Sequence, residues 1–107
     1  MNALLKIVAQ HNGVSVKNVL GRGKKQPLPD ARLQLAALLY ASGFKEWSIA
    51  SQLDREYPWA YQCRQRFIDR ITTDREFYES TEKLWLKVLD PGLFKLDTSR
   101  IARNKYD

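Results

Sequence analysis

Residues 53–67 read LDREYPWAYQCRQRF: a charged break, a proline between two aromatic rings, then arginines and glutamines spaced around one cysteine. Proline suits the first turn of a helix, so Pro58 marks a helix start and the residues just before it a break. At 100° per residue, Ala60, Cys63, Phe67 and Ile71 share one side, with Tyr61, Arg64 and Ile68 on the neighbouring flank. Trp59, Gln62, Arg66 and Arg70 form a stripe on the opposite flank. One side is expected to be buried and the other to be cationic and aromatic.

Upstream, EWSIASQL (46–53) has Trp47, Ile49, Ala50 and Leu53 as its apolar positions, and with the following helix it makes a helix-turn-helix candidate. ARLQLAALLYAS (31–42) is apolar around most of its circumference, which predicts the central buried helix, capped by Asp30 and stopped by Gly43. NALLKIVAQHN (2–12) places Leu4, Leu5, Ile7, Val8 and His11 at helical spacing, with Gly13 to end it. Ser15 is a natural cap for VKNVL, which Gly21 closes. GRGKKQPLP (21–29) is a basic loop in which glycine and proline forbid regular structure.

Downstream, Thr73 and Glu76 read as a capping box that opens DREFYESTEKLWLKVL, ended by Asp90-Pro91-Gly92. LFKLDTSRIARNKYD (93–107) has weak apolar spacing and is either a docked short helix or a mobile tail. The expected architecture is an all-α bundle of five to six helices. Residues 1–90 form the helix-turn-helix domain and residues 91–107 a C-terminal tail of unassigned role.

A chain of 107 residues supports one domain. Its 18 Lys+Arg against 12 Asp+Glu give a net charge of +6. Residues 1–75 carry 12 basic and 6 acidic groups and residues 76–107 carry 6 of each, so the excess lies in the first part. Such a balance favours a polyanionic partner. One cysteine and one histidine cannot build an intrachain disulfide or a Cys/His zinc site, and no cofactor is expected. No stretch approaches the roughly eighteen apolar residues of a membrane span, and a cytoplasmic setting is expected. His11 and Cys63 fall on inner helix sides and the carboxylates are scattered among cations, so catalysis is not expected.

The α-helical stripe supplies the strongest functional pattern. A helix offering Tyr57, Pro58 and Trp59 in its first turn and Gln62 and Arg66 farther along has the side chains that read a major groove. There Gln pairs with adenine and Arg with guanine, while Arg70 is placed for a phosphate. Arg22 on a slim Arg-Gly-Lys loop can enter a narrow minor groove, with Lys24 and Lys25 on phosphates. Arg32, in the first turn of its helix, faces an unfavourable dipole that either a phosphate or Asp30 would relieve. The alternative for the stripe and the loop is an ordinary solvated surface. The DNA reading requires Gln62 and Arg66 to project beside the loop cations as one electropositive ledge.

The order of these parts resembles the C-terminal DNA-binding domain of the bacterial replication initiator DnaA, a helical fold related to the Trp repressor. The resemblance runs through LLKIVAQHNGVSVKNVLG, the basic loop, ARLQLAALLYA and WSIASQL to about Ile71. It implies a minor-groove arginine at Arg22, phosphate contacts at Lys24, Lys25 and Arg32, and a groove contact at Arg55. The family's turn signature G-R-D-H-T-T-V corresponds to D-R-E-Y-P-W-A at Asp54–Ala60. Because Tyr57-Pro58-Trp59 replaces His-Thr-Thr, a different recognition site is expected. The implied function is a stand-alone, nucleoid-associated, sequence-specific double-stranded DNA-binding protein, a transcription regulator or replication-associated factor. A protein-interaction adaptor, using Trp59, Tyr57 and the C-terminal segment, is the competing expectation.

Overall fold

Nine consecutive residues of helix α3 (Leu28–Ala41), from Ala31 to Leu39, are buried, including Leu35, Leu38 and Leu39. That degree of burial places α3 at the centre of a computed structural model that describes residues 2–88 and 94–104. Among these residues there are seven helices and no strand: α1 (Asn2–His11), α2 (Val16–Leu20), α3, α4 (Glu46–Gln52), α5 (Tyr57–Thr73), α6 (Arg75–Val88) and α7 (Phe94–Asn104). Helices α1, α2, α4, α5 and α7 pack directly on α3. The all-helical class follows the sequence patterning, with more helices than the five or six expected.

Local chemistry sets most of the boundaries. Gly13 and Gly43 adopt φ of +68° and +101°, the left-handed backbone that ends α1 and α3 without a Cβ penalty. Ser15 caps α2 as expected, its Oγ accepting from Asn18 N at 3.0 Å. Helix α3 begins at Leu28, two residues before the expected cap Asp30, because Pro29 fits a first turn that needs no N–H there. Helix α5 begins at Tyr57 with Pro58 in the first turn, as the sequence predicts.

The capping box at Thr73 and Glu76 does not form. Thr73 is the last residue of α5, and its hydroxyl donates to Asp69 O. Asp74 takes the capping role instead, its Oδ1 accepting from Phe77 N at 3.1 Å. The stop expected at Asp90-Pro91-Gly92 lies outside the described residues.

Helix α5 buries Ala60, Cys63 and Phe67, the side that the 100° spacing selects. Phe67 meets Phe77 edge-on at 5.8 Å and stacks near Trp85 at 6.4 Å. Trp85 in turn meets Phe94 at 5.4 Å, so α5, α6 and α7 share one aromatic cluster. Of the two alternatives for the C-terminal segment, residues 94–104 are a docked helix. Phe94 and Ile101 are buried, and Trp85 Nε1 donates to Asp97 Oδ2 at 2.9 Å.

Candidate nucleic-acid interface

The site begins at the C-terminal end of α2. A five-residue helix leaves its last carbonyls without intrahelical donors, and they carry the negative end of the helix dipole. Arg32 reaches them from α3: Nε donates to Val19 O at 2.8 Å, and Nη2 to Asn18 O at 2.9 Å and Gly21 O at 3.0 Å. Its Nη1 donates to Gly23 O. Arg55 reaches them from the α4–α5 connection, donating to Gly21 O, Leu20 O and Leu53 O. Two guanidiniums therefore tie the basic loop to α3 and to the start of α5.

This corrects the expectation for Arg32. The side chain is 8 % exposed and four of its five N–H donors are taken by backbone carbonyls, so it organises the loop instead of offering itself to a phosphate. The cation that the sequence leaves uncompensated at the start of α3 is compensated by the end of α2. The Arg32–Asp30 alternative does not form either. Asp30 accepts from Arg70 Nη1 at 2.8 Å and from Gln26 Nε2 at 3.1 Å.

Arg70 is also less available than expected. It bridges Asp30 and Asp74 and lies 4.5 Å over the Phe77 ring. These carboxylates hold its guanidinium above the usual arginine pKa, the hydrogen bond to Asp30 being the largest cause.

Between the loop and α5 lies an open groove of about 640 Å³. Arg22, Lys24 and Pro29 line it from the loop and the start of α3. Arg55, Trp59, Arg66, Asp69 and Arg70 line it from α5 and the turn before it. The buried residues Arg32, Leu33 and Cys63 also line it, and their low exposure puts them at its bottom. Burial pushes the Cys63 thiol up to about 12, so this group acts as an apolar surface and carries no thiolate at neutral pH.

Three groove cations remain available. Lys24 and Arg66 are exposed and have no ion-pair partner among the described residues. Arg22 Nη2 donates to Asp54 O at 3.1 Å and lies 3.8 Å from its carboxylate, but both side chains are exposed, and such pairs are weak. The positive field is felt by its neighbours: burial and then Arg22 lower the pKa of both Arg32 and Arg55.

The expected ledge is thus divided. Arg22, Lys24, Arg55, Trp59, Arg66 and Arg70 converge on one groove, with Arg55 5.3 Å over the Trp59 ring. Lys25, Tyr57, Pro58 and Gln62 are exposed but do not line it. Sequence reasoning misses Pro29, Leu33, Cys63 and Asp69 as lining residues. Asp69 adjoins Arg70 on the stripe and could have been found by extending it; nothing in the local pattern marks Leu33.

Arg64 links α5 to α4 and α3, its Nη1 donating to Glu46 Oε1 at 2.6 Å and to Tyr40 Oη at 3.0 Å. His11, at the end of α1, is half-buried against α6. Its Nε2–H donates to Ser80 O at 2.9 Å and its Nδ1 accepts from Lys87 Nζ at 2.9 Å. Burial and the Lys87 charge hold its pKa below the usual histidine value. Among the described residues, no group of three or more His, Cys, Asp and Glu side chains could hold a metal ion, and no helix is long and apolar enough to cross a membrane.

In comparison with known proteins, no family model, no curated sequence and no solved structure matches this chain, so these comparisons add nothing to the likeness to the initiator's DNA-binding domain.

Proposed function

We propose that this protein binds double-stranded DNA as a non-enzymatic transcription regulator or replication-associated factor, acting at the nucleoid in the cytoplasm. The exposed start of α5, with Tyr57, Pro58 and Gln62, reads bases in the major groove. Lys24, Lys25 and Arg66 neutralise phosphates, and Arg22 extends toward the minor groove. Helices α4 and α5 act as a helix-turn-helix.

The observation that carries this reading is the convergence of Arg22, Lys24 and Arg66 beside that exposed helix start. A second feature supports the alignment with the initiator family. Asp54, at the position where the signature has glycine, adopts φ of +54°, a conformation that glycine favours.

Salt dependence tests the proposal. Arg22, Lys24, Lys25 and Arg66 are four available cations, and with each of them, Arg22 in the minor groove included, neutralising one phosphate charge at −0.9, the log–log slope is about −3.6. Selection of duplexes from a random pool, followed by salt titration of the winners, should give roughly this slope. Absence of duplex binding at physiological salt would remove the proposal.

One observation favours a second reading, a protein-interaction adaptor: Trp47 on α4 is 65 % exposed and Tyr57 is 55 % exposed. Aromatic side chains of this kind dominate protein interfaces. The adaptor reading predicts negligible affinity for any duplex and loss of a partner on Trp47→Ala.

A further inference from the structure

We infer that the groove between the basic loop and α5 receives an unpaired nucleotide of a DNA strand, with its base against Trp59 and its flanking phosphates on Arg22, Lys24 and Arg66. This rests on the DNA-binding reading and adds a second kind of contact to it.

The lining is wrong for a phosphate track alone. Phosphates call for N–H donors, yet at the floor Leu33 and Cys63 offer none and four of the five Arg32 donors are already on backbone carbonyls, while Pro29 and Trp59 form part of the wall. An apolar, aromatic surface under a rim of cations is what a strand with an exposed base requires: stacking for the ring and positive charge for its backbone. Arg55 lies 5.3 Å from the indole centroid, so a cation already accompanies the ring, and the base takes the part of Trp59 that the groove leaves open.

Asp69 lies about 15 Å along α5 from Trp59, beyond Arg66, so it marks the far end of the groove and takes no part in the base contact. The volume of about 640 Å³ lies within the range of roughly 300–1,000 Å³ that encloses small ligands. The residues suited to reading a paired duplex, Tyr57, Pro58 and Gln62, stand outside this groove, so the base-reading contacts do not compete with it for space.

The test is fluorescence anisotropy with the full chain and three labelled duplexes: one fully paired, one with a single bulged adenine, and one with the same bulge lacking its base. The adenine bulge should bind about tenfold tighter than the paired duplex, within the range that one stacked base supplies. Removing the base should abolish the gain. In Trp59→Leu the bulge-to-paired ratio should collapse to about one, and Trp59→Phe should restore most of it.

Equal binding of paired and adenine-bulged duplexes would overturn this inference and leave duplex recognition standing. Equal binding of the two bulges would also overturn it, since the gain would then come from bending; because that comparison uses the unmodified protein, it does not depend on the variants folding. Binding to none of the three would remove both readings. Deoxyadenosine monophosphate separates a strand from a free nucleotide: if it binds in a Trp59-dependent way more tightly than the adenine bulge, the occupant is a free nucleotide and the strand assignment fails.

Discussion

The guanidiniums of Arg32 and Arg55 converge on one backbone oxygen, the carbonyl of Gly21, each donating to it through Nη2. Two like charges meet there because the end of α2 presents several unpaired carbonyls at once. The basic loop is therefore held from both sides, by the helix that forms the core and by the turn that precedes α5.

Lysine should not replace either arginine, because an ammonium cannot span carbonyls that a planar fork reaches together. Arg32→Lys should lower stability by about 2–3 kcal/mol, the range for hydrogen bonds to a buried charge, and Arg55→Lys by about 1 kcal/mol. The shared acceptor predicts non-additivity: urea unfolding of the double variant should show a coupling of at least about 0.5 kcal/mol. Simple addition would mean that the loop does not depend on the shared carbonyl.

Asp54 supplies a test of backbone strain. At φ of +54° its Cβ is unfavourable, and its ion pair with Arg22 is too exposed to compensate. Asp54→Gly should hold or raise stability, by up to about 1 kcal/mol, while Asp54→Ala should lower it by about 1 kcal/mol. A thermal melt in which both variants lose equally would place the role of Asp54 in its side chain.

Patterns of burial were legible in the sequence where apolar spacing is unbroken. The apolar positions of α3 and the side Ala60, Cys63, Phe67 could be read directly, because no polar residue interrupts the packing positions of α5, whereas the burial of Arg32 and Gln34 within α3 could not. Helix α7 was obscured for the opposite reason. Its inward positions are Phe94, Asp97 and Ile101, and the carboxylate in the middle hides the period until its partner, the Trp85 indole, is known. Caps at Asp30 and Thr73 were misplaced because several adjacent residues can cap, and tertiary partners decide among them; Arg70 claims Asp30. The composition counts Arg32 as a free cation, since side-chain bonds to distant carbonyls leave no trace in residue type.

The docking of α7 depends on that buried Trp85–Asp97 bond. Asp97→Leu leaves the indole N–H without an acceptor inside the protein and should cost about 1–3 kcal/mol. Asp97→Asn retains an acceptor oxygen and should cost clearly less. Amide hydrogen exchange in α7 reports the difference; equal protection in the two variants would show that the aromatic cluster alone holds the helix.

His11 gives stability a defined pH dependence. Its folded pKa lies below the ordinary histidine value of about 6.5, so folding favours the neutral ring. Above that value neither state binds the proton and the contribution is complete. As pH falls below 6.5, the unfolded chain takes up a proton that the folded chain resists, and stability declines until the folded pKa is passed. The stability difference between the wild type and His11→Gln should therefore shrink as pH is lowered from about 7.5 to about 5. A constant difference across that range would show that burial and the Lys87 charge do not set the protonation state.

The loop and the helix start should fail in different ways when altered. Replacing Arg22, Lys24 and Lys25 together with alanine removes three available cations and should reduce the salt slope by about 2.7, three times 0.9, weakening all duplexes alike. These side chains are exposed, so urea unfolding should change little. Gln62→Ala should leave the slope unchanged but reduce the preference for the selected site by about 1–3 kcal/mol, because it removes a base contact without altering phosphate neutralisation. The two profiles are distinguished by measuring selected and scrambled duplexes at several salt concentrations. If the triple variant lost site preference while keeping its slope, or Gln62→Ala lost slope while keeping preference, the assigned division of labour between loop and helix would be reversed.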